Sequence, residues 1–144
     1  MKVVAIGDLH DSPNIRDKSR FRWIAKHIKK VKPDVVVQIG DIITLDSCTH
    51  YISDDTYTAR IEKPTFMKEM QSFDEALEEF HYVLKGEKIK KYITLGNHEK
   101  RMWRYEDKNP TFYGMCQKEF FGTCRKYKWK VIPWGQYLML GGVG

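Results

Sequence analysis

Three short runs rich in valine, isoleucine and other strand formers, residues 2–6, 35–39 and 92–95, each end in a glycine followed by Asp or Asn: Gly7-Asp8, Gly40-Asp41 and Gly96-Asn97. Runs of this length suit buried strands and are too short for helices. Residues 15–31 lie between the first two and place Ile15, Phe21, Ile24, Ile28 and Val31 at near-helical spacing among lysines and arginines, with Pro33 closing the segment. That pattern predicts an amphipathic crossover helix. A strand, crossover helix and second strand in one sheet connect right-handedly, so the strands lie parallel and their glycine ends share one edge. From residue 64 to 84 a second apolar stripe follows, Phe66, Met70, Phe73, Leu77, Phe80 and Leu84, with Pro64 suited to a first helical turn and Gly86 ending it. The fold class is therefore α/β, a layered sheet with crossover helices.

The rest of the chain is less regular. Residues 44–63 are polar and aperiodic, holding Asp46, Ser47, His50, Ser53, Asp54 and Asp55, and read as a long loop of the functional kind. After His98, residues 99–105 suit a short helix and 112–127 a second, containing Met115, Glu119 and Phe120. Residues 129–132 and 137–140 look like strands around Pro133, Trp134 and Gly135, which predicts a hairpin at the sheet edge. No repeat, low-complexity tract or linker divides the chain, and 144 residues with 42% apolar content are enough for one core, so residues 1–144 read as one domain. The closing Gly141-Gly142-Val143-Gly144 reads as an interruption, because such punctuation usually introduces another element.

Charge and cysteine content narrow the function classes. Lys and Arg outnumber Asp and Glu by 25 to 19, a net charge of +6 that favours nucleic acid or phosphorylated partners, with a solvated lysine-rich surface as the plain alternative. Cys48, Cys116 and Cys124 form no Cys-x-x-Cys pair, which argues against a disulfide framework or structural zinc and fits a reducing, cytoplasmic setting. The amino terminus enters a strand pattern without a signal-peptide core, and no apolar run approaches the ~20 residues of a membrane span, so no membrane partner is expected.

The chemistry lies at the strand exits, in Asp8-Leu9-His10, Gly40-Asp41 and Gly96-Asn97-His98-Glu99. Asp, Asn and His are hard or borderline ligands, and the carboxyl ends of neighbouring parallel strands are where an α/β sheet collects a metal site. Each island alone has an ordinary reading, since Asp at a strand end commonly caps a turn and Gly-Asp is common turn chemistry. Their order, each behind its own strand, is what points to half of a two-metal centre.

These islands resemble the signature of the calcineurin-like metallophosphoesterases: Asp-x-His, then Gly-Asp-x-x-Asp, then Gly-Asn-His-Asp/Glu, then later histidines. The resemblance covers nearly the whole chain and is nearest in character to short phage and prokaryotic phosphoesterases. It implies that Asp8 and His10 hold a first divalent ion, that Asp41 bridges two ions, that Asn97 holds the second, and that His98 faces the phosphate. Asp41 and His98 are then the catalytic pair. Two ions ~3.5–4 Å apart clamp phosphoryl oxygens and lower the pKa of a bridging water. An imidazole can stabilise the transition state or protonate the leaving oxygen. Mn²⁺ is the expected ion, with Fe, Zn, Ni or Mg as alternatives.

Departures from the pattern limit that expectation. Thr44 stands where the family has its second aspartate, with Asp46 two positions on as a substitute, and His98 is the last histidine in the sequence. The first ion keeps Asp8, His10 and Asp41, the second only Asp41 and Asn97, so one ion is all this chain is expected to hold unaided. The sheet is thus expected to be truncated before the later histidine motifs, as the amino-terminal part of a longer enzyme or a shortened copy. An exposed sheet edge would then favour homo-oligomers. His27 and His81 fall within crossover helices, whereas His50 could swing over the site from its loop. Arg101, Arg104 and Trp103, with Lys100, are candidate contacts to phosphate and base. Two functions from different classes follow: a metal-dependent phosphoesterase acting on phosphodiesters or phosphomonoesters, nucleic acid or nucleotides among them, and a non-catalytic domain binding nucleic acid or a protein partner. A dinucleotide-binding fold is disfavoured, since no Gly-x-Gly-x-x-Gly follows the first strand.

Overall fold

The computed structural model describes residues 1–49 and 63–141. Four parallel strands, β1 (Val3–Ile6), β2 (Val35–Gln38), β3 (Lys90–Thr94) and β4 (Trp129–Ile132), form one sheet in sequential order. Val4 pairs with Val36, Val36 with Lys91, and Lys91 with Trp129, so every strand exits at the same edge. Because side chains alternate along a strand, Val4, Ile6, Val36, Ile93 and Trp129 join the apolar core.

The helices that cover this face are α1 (Ser19–Val31), α2 (Phe66–Leu84) and α4 (Met115–Lys126), with the shorter α3 (Lys100–Lys108) beside α4. Phe21, Ala25 and Ile28 recur at helical spacing and bury one stripe of α1, while its lysines stay in water. In α2 the buried stripe is Met70, Phe73, Ala76, Leu77, Phe80 and Leu84, as the periodicity predicts. Aromatic contacts lock the layers together. Phe73 stacks on Phe120 of α4 at 5.1 Å, and Phe80 meets Phe21 edge-on at 5.8 Å and Trp129 at 5.5 Å.

Several boundaries differ from the sequence reading, each for a local reason. Helix α1 begins at Ser19 rather than near residue 15, because Lys18 is drawn inward to Asp11 (2.5 Å) and Ser72 (2.6 Å) and the preceding segment wraps around that contact. Pro64 precedes the cap of α2, and Thr65 itself caps the helix by accepting from the Lys68 amide at 3.2 Å. Helix α3 runs on to Lys108, and a 3₁₀ turn spans Asp46–Cys48 in the described part of the polar loop.

The predicted hairpin does not form. Strand β4 is parallel to β3, reached through the α3 and α4 crossover, and residues 137–140 pair with no strand. The turn that carries the chain away is closed by the Gln136 amide donating to the Pro133 carbonyl at 3.1 Å, with Gly135 at φ +76°. Tyr137 and Met139 consequently face solvent. No helix among the described residues is long and apolar enough to cross a membrane.

Phe80 joins α1, α2 and β4 in one contact and has no exposed surface, so Phe80→Ala is expected to cost about 3–5 kcal/mol. Urea unfolding of the full chain measures this, and an unchanged midpoint would remove Phe80 from the core's centre.

Candidate metal centre at the carboxyl edge

Beyond the formal ends of β1 and β2 the backbone remains paired. Leu9 and His10 amides both donate to the Asp41 carbonyl (3.0 and 2.9 Å), Asp11 donates to Ile42 (2.8 Å), and Thr44 donates back to Asp11 (2.9 Å). Two of the predicted ligands thus lie on neighbouring laced loops. His10 and Asp41 both adopt left-handed backbone, at φ +45° and +51°. Such residues cluster at functional sites because surrounding structure must hold them there.

Glycine is required where the second and third islands meet. A Cβ on Gly40 would lie 2.7 Å from the Gly96 nitrogen, and one on Gly96 would lie 2.5 Å from the Asp41 nitrogen. The two exits therefore touch backbone to backbone, which brings Asp41 against the start of the Gly96-Asn97-His98 segment. The His98 amide donates to Asp41 Oδ1 at 2.9 Å.

The side chains that converge are His10, Asp41 and His98, whose ligand atoms all lie within 4.8 Å of one another. The two imidazoles meet edge to face at 4.6 Å between centroids. Asp8 stands at the rim with an oxygen 3.7 Å from His10 Nε2, and Asn97 is exposed between Gly96 and His98. Two imidazoles and a carboxylate form a borderline-to-hard donor set that suits a divalent transition ion. His98 Nδ1 lies 2.7 Å from the Thr44 carbonyl, which places the proton on Nδ1 and leaves Nε2 as the free ring nitrogen. The backbone carbonyl of Thr44 thus orients the imidazole.

Asp46, the expected substitute, does something else. Arg101 donates through Nη1 to the Thr44 carbonyl (2.8 Å) and to Asp46 Oδ1 (3.3 Å), so both of these side chains brace the loop behind His98. Of the other candidate contacts, Arg104 is exposed, and Trp103 packs on Phe121 at 5.9 Å, away from an open stacking position. His27 stacks on Trp23 and His81 lies against Tyr127, both on helices as expected. His50, with Ser53, Asp54 and Asp55, lies outside the described residues.

Sequence reasoning missed the carboxylates that hold this edge together. Glu99 is fully buried and accepts from the amides of Gly96 (2.8 Å), Asp41 (2.9 Å) and Ile42 (2.9 Å). Glu69, also fully buried, accepts from the Asp46 amide (2.7 Å), the Ser47 amide (3.1 Å) and the Ser47 hydroxyl. Gln38 ties the exits of β1 and β2 through the carbonyls of Gly7 (3.1 Å) and Gly40 (2.7 Å). Its only signal was a polar residue ending an otherwise all-valine strand. Burial pushes both Glu69 and Glu99 above the ordinary carboxylate range, against the lowering effect of their amide donors. All three cysteines are buried free thiols, and burial pushes Cys48 up to about 12 and Cys116 to about 11.

Compared with known proteins, the chain matches the family model of calcineurin-like phosphoesterases over residues 1–142, and it belongs to that family. No curated protein and no solved structure matches it. Divalent ions are typical of the family, and the cluster of His10, Asp41 and His98 gives this chain the side chains to hold one.

Two predictions follow from these contacts. Because Arg101 touches the loop behind His98, Arg101→Ala is expected to weaken divalent-ion binding or turnover about 10- to 100-fold, measured by Mn²⁺ titration. A wild-type titration curve would return Arg101 to the exposed surface. The second concerns pH. A carboxyl whose folded pKa is raised contributes stability below its unfolded value that is lost as pH rises through the folded one. The stability gap between wild type and Glu69→Gln in chelator should therefore shrink as pH rises above the usual carboxylate range. A gap that widens instead would show that Glu69 is held more acidic than in water.

Proposed function

We propose that this chain is a metal-dependent phosphoesterase that cleaves phosphate esters at the carboxyl edge of its sheet. The observation that carries this reading is the convergence of His10, Asp41 and His98 within 4.8 Å, in a chain of the phosphoesterase family. His10 and Asp41, with Asp8 at the rim, would hold one divalent ion, Mn²⁺ by preference, and Asp41 with Asn97 would contribute to a second. When bound, the cation polarises the phosphoryl oxygen and lowers the pKa of a water. Asp41 accepts from the His98 amide through one oxygen, so its second oxygen would be the one available to a cation. His98, with Nδ1 committed to Thr44, presents Nε2 to the phosphoryl group or to the departing oxygen. The excess of six positive charges supports an anionic substrate such as a nucleotide or nucleic acid, and three free thiols suit a reducing cytoplasm.

The test is hydrolysis of an aryl phosphodiester by the purified chain across a Mn²⁺ titration. Turnover should vanish in chelator and return with Mn²⁺. His98→Ala should lower kcat about 10²- to 10⁴-fold with the ion still bound, whereas Asp41→Ala should lose ion and activity together. Salt-sensitive binding to nucleic acid that survives Asp41→Ala, with no turnover by wild type, would replace this reading with that of a binding domain.

A further inference from the structure

We propose that Trp134, capped by Lys100, is a stacking platform for the base of a nucleotide-type phosphoester whose phosphate lies at His10, Asp41 and His98. This rests on the phosphoesterase reading and names its substrate class. The chain has four tryptophans. Trp129 is buried in the core, Trp103 packs on Phe121, and Trp23 stacks on His27 along the outer side of α1. Trp134 alone leaves the sheet at the edge that carries the metal centre, and it is 51% exposed.

Its position follows from strand register. Ile132 pairs with Thr94, and Trp134 stands two residues past Ile132 just as Gly96 stands two residues past Thr94. The indole thus emerges beside the Gly96-Asn97-His98 exit. Lys100, two residues beyond His98, places its ammonium 4.5 Å from the centre of the Trp134 ring. That contact ties the ring to the start of α3 and so to the segment that carries His98.

A tight turn sets the backbone that carries the ring. Trp134 occupies the second position of the turn closed between Pro133 and Gln136, with Gly135 at φ +76° in the third, a geometry that fixes the backbone under the ring. An indole held this way loses little freedom when a flat partner stacks on it. Every base has a π-face, so an aromatic platform accepts bases without regard to sequence. Lys100 makes no ion pair among the described residues, which leaves its charge free to draw a phosphate. A cation and a half-open aromatic face, side by side near a metal centre, complement the two halves of a nucleotide: anionic phosphate and planar base. A simple alkyl phosphate would use the cation and leave the ring in water.

The experiment compares two probes that differ only in their bases: a deoxyadenosine dinucleotide and the same phosphodiester with both bases removed. Full-length chain loaded with Mn²⁺ is titrated with each, following tryptophan fluorescence and, separately, turnover. Wild type should bind the base-bearing probe more tightly. Trp134→Leu should weaken that binding about tenfold and leave the abasic probe unchanged, while Trp134→Phe retains most of the preference. Since Trp134 is half exposed on a turn, an unchanged melting midpoint confirms that each variant is folded. Wild type binding both probes equally, or neither, overturns the platform. So does an equal loss for both probes in Trp134→Leu. Hydrolysis of an aryl phosphodiester separates the two claims. If it proceeds without discrimination between the probes, the platform fails and the phosphoesterase reading stands. If it is absent while Trp134 still selects the base-bearing probe, the platform stands and the catalytic reading fails.

Discussion

The buried carboxylate of Glu99 is the contact on which the edge of this sheet depends. It gathers amides from Gly96 at the exit of β3 and from Asp41 and Ile42 at the exit of β2. Left-handed backbone at a residue other than glycine costs about 1–3 kcal/mol, less for His and Asp than for bulkier types. Hydrogen bonds to a charged group return about 1.5–3 kcal/mol each. Two of the bonds fall on the Asp41 and Ile42 amides, so Glu99 holds the left-handed backbone at Asp41 in place from behind. The cost is borne by Glu99 itself, whose burial makes its charged form harder to keep.

Glu69 repeats this device one loop further on. Its carboxylate collects the amides of Asp46 and Ser47 and thereby shapes the turn after Asp41. That turn delivers the Thr44 carbonyl to His98, and Arg101 closes over the same oxygen from α3. A carbonyl bears only a partial charge, so it orients the imidazole without the full electrostatic pull of a carboxylate.

Much of this was readable in the chain because the relevant physics is local. Valine-rich runs, the α2 stripe and the glycine-punctuated exits each declare themselves within a few residues, and together they fixed three strands, two crossovers and the shared edge. The contacts that sequence reasoning missed span 20 residues or more: Glu99 to Asp41, Glu69 to Ser47, Arg101 to Thr44. A buried glutamate and a surface glutamate look alike in a sequence: nothing in its helix marks Glu69, and Glu99 is marked only as the end of the Gly-Asn-His-Glu run, which does not say which amides it holds. The hairpin expectation failed for a different reason. Alternation at residues 137–140 resembles a strand, but the turn at Pro133 decides where the chain goes, and it leads away from the sheet.

The same placement accounts for the charge at the centre. Asp11 follows His10 directly yet is wholly buried, neutralised by Lys18 at 2.5 Å and Ser72 at 2.7 Å. Glu69 and Glu99 spend their charge on backbone amides. Three carboxylates near the edge are thus withdrawn from it, and among the described residues those left at the cluster are Asp41 and, at the rim, Asp8. Two unit charges would match one divalent ion, and the His10 imidazole would add a donor without adding charge. Had the structural carboxylates faced the same cavity, their mutual repulsion would have raised their pKa values and led them to hold protons in place of a cation. By separating the acids that build the loops from the acids that face the ion, the fold keeps a compact anionic site on a chain whose net charge is positive.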